Sequence, residues 1–372
     1  MECSALSSVC SPQRTIMSSI APPQRTDSDG PQPHLVILAH DVGIWRLAYL
    51  PDGRRVVTGS KGTVKVWNLE SGEQEGTSMW PVHERGICGL AVTGDGTNIA
   101  SSDFGGTVKV WDVESHELVR EWTHPESCLQ IAISPDDQLI AVGAWMVAVY
   151  SMEGRQVGHS IDVGWAVYSM SFSPDGTKLA CGTVCDIHVY DVATGTLILE
   201  CHHDWVLDVV WSCDGSRLFS GSTDRTIRCW NSDTGETIGH PWTGHQNSIL
   251  SLSLSPDGSI LASSSSDHTV RFWDATTGDP IGQHLQHDKV STVRFSPSGE
   301  SVASAGWDGK LYVWRVPWLN SVKDPVSMPF MCVLALAPTL LQTSPTLLEI
   351  EHVLQGFGPL YASTFLMLGP FV

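Results

Sequence analysis

The stretch at residues 264–274, SSSDHTVRFWD, decides the fold because related stretches return along the chain. The related stretches share a polar turn followed by an apolar run that ends in Trp, and they lie at residues 61–68, 105–112, 221–231 and 305–315. Self-similarity at a fixed period indicates a repeat architecture, in which one unit is too small to bury its own apolar face.

Seven units align on a closing aromatic residue, and neighbouring closers lie about 40 residues apart. The closers are Trp67, Trp111, Tyr150, Tyr190, Trp230, Trp273 and Trp314. Within a unit, short segments alternate apolar and polar residues, as strands do. Turns such as SPDG at residues 255–258 separate them, because Pro fixes φ, Asp hydrogen-bonds locally and Gly accepts positive φ. This pattern leaves no room for helices and predicts an all-β fold.

These units resemble the WD-repeat (WD40) β-propeller family over residues 34–316. The resemblance rests on Gly244-His245, the SPDG turn and Trp273-Asp274, which occur at the family's spacing. It implies one seven-bladed propeller of four-stranded blades. Residues 33–39 resemble the lone strand that, in this family, completes the last blade, here residues 290–314. This strand would close the ring, since an open ring leaves two unpaired sheet edges.

Both ends of the chain lack the repeat. Residues 1–33 are rich in Ser, Pro, Gln and Thr without a secretory signal, so we expect a disordered arm. Residues 317–372 form an irregular apolar tail, in which no run reaches the roughly 18 residues that span a bilayer. Three interpretations of the tail stay open: an appendage packed on the ring, a segment that contacts a partner or membrane, and a poorly ordered end.

The charge and the cysteines narrow the class of function. The formal net charge of −19 argues against nucleic acid as a partner, because a phosphate backbone needs a basic face. Ten cysteines without a CxxC pair are typical of reduced thiols, which favours the cytoplasm or the nucleus.

Metal and cofactor signals are weak. A cluster of possible ligands contains Cys181, Cys185, His188 and Cys201. Strand alternation sends some of these side chains to opposite faces, so we expect no metal site. The GxxxxGK[ST] frame of a phosphate-binding loop is missing, and we expect no cofactor.

A His, a Ser or Thr, an Asp and a Trp recur within the units. Two sets are complete: His202, Ser220, Asp224 and Trp230, and His245, Ser263, Asp267 and Trp273. Ser, His and Asp together suggest a catalytic triad, but a repeated set favours a structural hydrogen-bond network, because a catalytic site need occur only once. In such a network the indole N–H donates a hydrogen bond and the carboxylate accepts one. The hydroxyl and the neutral imidazole can each donate and accept. The family resemblance implies the same structural role.

Several units depart from this set. Unit one has His40, Thr58 and Trp67 without the Asp turn, and unit two has Gly105 where the Asp is expected. In unit seven, His287 comes one residue late. Units three and four end in Tyr and carry Val142 and Cys181 at the hydroxyl position. We therefore expect blades three and four to be locally less stable than blades five and six.

In this family the loops that carry the His and the Asp commonly form the binding face. The positions that would point from this face are Trp45, Phe104, Trp145, Tyr168, Trp205, Leu207, Lys289 and Trp307. Aromatic residues clustered on one face are typical anchors for protein partners. The alternative is that several of them pack between neighbouring blades.

The leading hypothesis is a non-catalytic scaffold that binds a protein or peptide on this aromatic face, as a monomer or within a larger complex. One alternative is a histone-tail or chromatin-associated adaptor, since the acidic charge permits a basic peptide. The other is a propeller enzyme or metal binder, which would need convergent charged residues or ligating His at the channel mouth. The sequence offers mainly aromatic residues there, so neither an enzyme nor a membrane protein is expected.

Overall fold

The computed structural model describes residues 31–76, 83–184, 186–194, 197–201 and 205–316. These residues form 27 β-strands and no helix, which confirms the predicted all-β class. In this part of the chain there is thus no helix long and apolar enough to cross a membrane. The predicted arm and tail, apart from residues 31–33, lie outside the described residues.

The strands form seven antiparallel sheets, and six of them are meanders of consecutive strands. Blade one contains β2 (Arg46–Tyr49), β3 (Arg55–Gly59), β4 (Val64–Asn68) and β5 (Gln74–Glu75). Blade two contains β6 (Ile87–Val92), β7 (Asn98–Asp103), β8 (Thr107–Asp112) and β9 (Leu118–Thr123). Blade three contains β10 (Gln130–Ile133), β11 (Leu139–Gly143), β12 (Met146–Ser151) and β13 (Gln156–Asp162). Blade four contains β14 (Ser169–Phe172), β15 (Lys178–Gly182), β16 (Asp186–Asp191) and β17 (Leu197–Cys201).

The remaining three blades follow in the same order. Blade five contains β18 (Val206–Trp211), β19 (Arg217–Ser222) and β20 (Ile227–Asn231). Blade six contains β21 (Ile249–Leu254), β22 (Ile260–Ser265), β23 (Thr269–Asp274) and β24 (Pro280–Gln286). Blade seven contains β25 (Val290–Phe295), β26 (Ser301–Gly306), β27 (Lys310–Arg315) and, at its outer edge, β1 (Leu35–Leu38).

The first strands of neighbouring blades contact one another around a closed ring, from β2 through β6, β10, β14, β18, β21 and β25 back to β2. β1 pairs antiparallel with β27, with Leu35 opposite Val313 and Leu38 opposite Lys310. The N-terminal strand thereby joins the last blade as the resemblance implied, and the seven-bladed propeller is confirmed.

In blade five, an irregular segment takes the place of the fourth strand. Residues 237–242 pair with β20 only through isolated bridges, Trp242 with Ile227 and Thr237 with Trp230. Pro241 lies in this segment and has no backbone N–H, so it cannot donate to a continuous ladder.

The SPDG turns pack around the end of the ring where the first strand of each blade leads into the second. In blade six, Ser255 Oγ donates to Asp257 Oδ1 over 2.6 Å, and Gly258 has φ of 73°, a conformation that favours glycine. A Cβ added to Gly299 would lie 3.4 Å from the Cδ of Pro256 in the preceding blade. Neighbouring turns therefore pack closely.

The core lies between the blades rather than within one sheet. Phe272 of blade six meets Phe295 of blade seven with ring centroids 6.2 Å apart. The closing residues Trp111, Trp273 and Trp314 have fully buried side chains. Burying a large apolar side chain contributes roughly 1.5–3 kcal/mol, so the repeated closers stabilise the ring at each blade where they occur.

Candidate partner-binding face

Blade six contains a complete chain of side-chain hydrogen bonds. His245 Nε2 lies 2.7 Å from Ser263 Oγ, and His245 Nδ1 lies 2.8 Å from Asp267 Oδ2. Trp273 Nε1 donates to the same Ser263 Oγ over 2.8 Å. The chain joins the loop before β21 to the second and third strands of the blade.

The Ser, His and Asp of blade six have triad-like distances, but Ser263 and His245 are buried. Ser263 is 0% exposed, and its hydroxyl already accepts an indole N–H. Burial lowers the pKa of His245, although Asp267 opposes the shift. Burial alone would raise the pKa of Asp267, but hydrogen bonds from Thr269, the Gln246 N–H and His245 lower it to about 2. Because the Ser263 hydroxyl already has two partners within the blade, this geometry supports a structural role.

Blade two builds the same chain with a carboxylate that the sequence comparison missed. His83 Nε2 lies 2.8 Å from Ser101 Oγ, and Trp111 Nε1 donates to that oxygen over 2.9 Å. Asp103 Oδ2 lies 3.1 Å from His83 Nδ1. The interpretation that Gly105 leaves this unit without its Asp is wrong, because Asp103, two residues earlier at the end of β7, reaches the same imidazole. A search that allowed the Asp to lie at another position near the same turn would have found it.

Blades one and seven keep the hydrogen bond from the Trp indole to a Ser or Thr hydroxyl. His40 Nε2 lies 2.8 Å from Thr58 Oγ1, to which Trp67 Nε1 donates over 2.9 Å. Burial lowers the pKa of His40 to about 4. In blade seven, Trp314 Nε1 donates to Ser304 Oγ over 2.8 Å.

In blade five, three of the four predicted network residues can be placed. Trp230 Nε1 donates to Ser220 Oγ over 2.9 Å. Asp224 Oδ1 accepts from the N–H and the hydroxyl of Thr226. The fourth residue, His202, lies outside the described residues.

Blades three and four replace the indole with a phenol. In blade three, Val142 occupies the hydroxyl position, and His124 Nδ1 lies 2.9 Å from the Tyr150 hydroxyl. In blade four, His188 Nδ1 lies 2.9 Å from the Tyr190 hydroxyl. The Nε2 of His124 is buried and makes no hydrogen bond within the described chain, whereas that of His188 lies 3.8 Å from Asp186 Oδ2.

All eight predicted partner-binding residues lie at one end of the ring. Antiparallel pairing places Arg46, at the start of β2, opposite Gly59, at the end of β3. The loop before a first strand and the loop between second and third strands therefore lie at the same end of each blade. We call this end the aromatic face.

Three of the eight residues form one aromatic cluster across blades seven, one and two. The ring centroid of Trp45 lies 5.5 Å from that of Phe104 and 5.9 Å from that of Trp307. Trp307 is 57% exposed, while Trp45 and Phe104 are half-buried. A Cβ on Gly86 would lie only 2.8 Å from the Trp45 ring, and one on Gly43 only 2.9 Å from that of Trp307. The glycines allow these indoles to lie close to the backbone.

A second aromatic pair spans blades four and five. Tyr168 and Trp205 stack with centroids 5.2 Å apart and an interplanar angle of 16°. Trp145 and Trp205 are 56% and 43% exposed, Leu207 is half-buried and Lys289 is exposed. The half-buried members fit the alternative of packing between blades, whereas Trp145, Trp205 and Trp307 present indole surface to solvent.

One exposed aromatic residue of this face was missed. Trp165 is 51% exposed and lies in the loop before β14. The sequence analysis selected Tyr168 in this loop and did not select Trp165, which lies three residues earlier.

Asp208 is a second residue that the sequence analysis did not single out. Its Oδ1 accepts from Ser169 Oγ over 2.7 Å, and its Oδ2 accepts from Leu252 N–H over 2.8 Å and Ser251 Oγ over 3.1 Å. One carboxylate thus joins the inner strands of blades four, five and six. Asp208 acts at the junctions between blades, and its position is not one of those that recur in the repeat units.

The seven blades arranged in a closed ring define a β-propeller. The family model described as "WD domain, G-beta repeat" matches residues 32–68, 74–112, 153–191, 194–231, 236–274 and 278–315. The chain belongs to the WD40 repeat family, whose propellers are typically non-catalytic scaffolds for protein interaction. The matched segments leave out residues 113–152, which contain most of blade three.

Several known proteins share part of this chain. The WD repeat-containing protein SL1-17 of Schistosoma mansoni is 28% identical over 211 residues, which cover 54% of this chain and 70% of that protein. Telomerase protein component 1 of Rattus norvegicus is 25% identical over 53% of this chain, but the match covers only 8% of its length. The small ribosomal subunit protein RACK1y of Oryza sativa subsp. japonica is 35% identical over 27% of this chain and 33% of its own.

Proposed function

We propose that this protein is a non-catalytic scaffold whose aromatic face binds a peptide or protein partner. The observation that carries the proposal is the set of exposed indoles around this face, with Trp145, Trp205 and Trp307 each more than two-fifths exposed. Exposed large apolar side chains on a rigid frame lose little entropy on binding and are typical anchors of interfaces.

The two aromatic groups suggest how a partner is held. Trp45 packs against Trp307 at a tilt, and Tyr168 stacks on Trp205. Such packing keeps the exposed indoles in place before the partner arrives, which reduces the entropic cost of binding. The partner would cross the ring and contact both groups.

A basic peptide is the second candidate partner, as in a histone-tail or chromatin-associated adaptor. The net charge of −19 attracts cations at long range, and an exposed indole face binds an ammonium or guanidinium group. Within this proposal the protein works in the cytoplasm or the nucleus, alone or in a larger complex.

Affinity purification from a matched cell extract tests the proposal with the variant Trp45→Ala/Trp205→Ala/Trp307→Ala. We expect the partners captured by the wild type to be lost. A control variant, Val36→Ala/Leu118→Ala/Leu197→Ala, removes exposed apolar side chains from the outer strands β1, β9 and β17 and should keep those partners. An unchanged partner set in the triple Trp variant refutes the aromatic face as the binding site.

Two further measurements keep the result interpretable. Thermal unfolding of both variants checks that the ring still folds, because Trp45 is half-buried. Titration of the wild type with lysine-rich and glutamate-rich peptides of equal length, monitored by Trp fluorescence, separates the two partner classes. Preference for the lysine-rich peptide, weakening with salt, favours the basic partner.

A further inference from the structure

Cys88 and Cys128 come together in the junction between blades two and three. Cys88 lies on β6, and Cys128 lies in the loop before β10. Their Sγ atoms lie 3.4 Å and 3.1 Å from the same Ser102 Oγ. Both residues are buried, at 2% and 0% exposure, and both are free thiols.

The local backbone explains this approach. The pairing of β6 with β7 shifts register between Ile87 and Gly89, so Cys88 is the extra residue of a β-bulge. A Cβ on Gly89 would lie 2.8 Å from the backbone nitrogen of Ile131 on β10. The bulge therefore redirects Cys88, and the missing side chain beside it lets the neighbouring blade come close.

A half-buried cation, Arg46, acts on the two thiols. Arg46 of β2 interacts electrostatically with both cysteines, and its Nε is buried without a hydrogen-bond partner in the described chain. Burial raises the pKa of Cys88, but hydrogen bonds with Cys128 and Ser102 and the charge of Arg46 together bring it below the ordinary value. Burial raises the pKa of Cys128 well above its ordinary value. Cys88 is thus the more acidic of the two thiols, and the thiolate is the form that reacts with a peroxide.

We propose that Cys88 and Cys128 form a dithiol modification site that a small hydroperoxide closes to a disulfide between blades two and three. The shared Ser102 hydroxyl and the close approach of β6 and β10 carry this assignment. It is independent of what the aromatic face binds.

The reaction balances with hydrogen peroxide as the oxidant. The Cys88 thiolate attacks one peroxide oxygen, the O–O bond breaks, and hydroxide leaves and takes up a proton, which produces a sulfenic acid and water. The Cys128 sulfur then attacks the Cys88 sulfur, the S–O bond breaks, and a second water leaves with the thiol proton. Two thiols and one peroxide become one disulfide and two waters.

The other described cysteines provide internal controls. Burial raises the pKa of Cys229 to about 11 and that of Cys181 far above the ordinary range. Cys213 is exposed, so peroxide reaches it freely. We expect Cys181 and Cys229 to remain reduced and Cys213 to be oxidised without a bond to Cys88 or Cys128.

The test is differential alkylation of the folded full-length chain before and after hydrogen peroxide, read by peptide mass spectrometry. Trypsin cuts after Arg85 and Arg120, so Cys88 and Cys128 fall in different peptides. We expect both free thiols to be lost together, with one cross-linked peptide pair that dithiothreitol separates. Oxidation of Cys213 while Cys88 and Cys128 stay reduced would overturn the proposal.

Two further measurements cover the roles of the two thiols. In Cys128→Ser, dimedone should trap the sulfenic acid at Cys88, whereas in Cys88→Ser the thiol of Cys128 should stay unmodified. Because either variant could fail to fold, phenylarsine oxide on the wild type supplies a readout without substitution, since it bridges only neighbouring thiols. We expect it to protect Cys88 and Cys128 together from alkylation, and failure to protect either refutes their proximity.

Discussion

Blade six and blade three place different chemistry at the same positions. In blade six, Ser263 lies between His245 and Trp273 and hydrogen-bonds to both. In blade three, Val142 takes the place of the serine, and Tyr150 reaches His124 with its own hydroxyl.

The two arrangements bury different numbers of satisfied polar groups. Both nitrogens of His245 have partners, whereas the Nε2 of His124 is buried without a hydrogen bond in the described chain. An unsatisfied buried group costs about 1–3 kcal/mol. The fold therefore tolerates loss of the polar chain when apolar packing replaces it, but we expect the blade to open more easily.

We expect the largest loss of stability when Ser263, the residue at the centre of the hydrogen-bond chain in blade six, is replaced. Ser263→Val leaves the imidazole of His245 and the indole of Trp273 without their shared partner, so we expect the free energy of unfolding to fall by about 4 kcal/mol. Urea unfolding monitored by circular dichroism measures the change.

The matched variant in blade three is Val142→Ser, which adds a hydroxyl to a fully buried site. We expect the free energy of unfolding to fall by less, about 2 kcal/mol, because this variant leaves no Trp N–H without an acceptor. Equal losses in both variants would show that the serine of blade six contributes only packing.

Acid should weaken the ring through its buried histidines. Burial lowers the pKa of His40 from 6.5 to about 4 and lowers those of His83, His124 and His245. The unfolded chain binds these protons at higher pH than the folded chain does. The free energy of unfolding therefore falls as the pH falls from 6.5 towards 4, by about 3 kcal/mol for His40 alone.

Urea unfolding at several pH values in this window measures the slope. We expect His245→Gln and His124→Gln each to reduce it, which separates the contributions of blades six and three. A free energy of unfolding that stays level or rises on acidification contradicts this account.

Asp103 should carry in blade two the role that Asp267 has in blade six. Asp103→Ala removes the acceptor beside His83 and the bond from the Gly105 N–H, and we expect a loss of about 2 kcal/mol. The double variant Asp103→Ala/Gly105→Asp returns a carboxylate to the position expected from the repeat. Partial recovery in thermal unfolding would show that the two positions are interchangeable; no loss in the single variant would contradict the role of Asp103.

The smallest expected difference concerns local opening in the unmodified chain. We expect amides of β11 and β15 to exchange with opening free energies about 1 kcal/mol below those of β19 and β22, because blades three and four lack the Trp–Ser bond. Hydrogen exchange resolved by mass spectrometry measures this order. If blades five and six open first, the polar chain does not control local stability.

The sequence contains most of the architecture because each blade repeats one local rule. Turns such as residues 255–258 and closing residues such as Trp273 depend on contacts with residues nearby in the chain. Their structural roles can therefore be predicted from their spacing in the sequence. Asp103 was missed because it lies two residues before the expected position, and Trp165 because the position selected in unit four was Tyr168, three residues later. A fixed residue offset within the repeat misses a residue that takes the same role from a neighbouring position.

The sequence determined the number of blades, and its resemblance to the WD-repeat family implied the closing strand and the residues of the aromatic face. Only the tertiary structure decided which of those residues meet, as Trp45 with Phe104 and Trp307, and which remain open to solvent. It also brought Asp208 between three blades and Cys88 beside Cys128. The reason is physical: a repeat fixes short-range pairing, while contacts between blades depend on how closely two backbones approach, which no local pattern records.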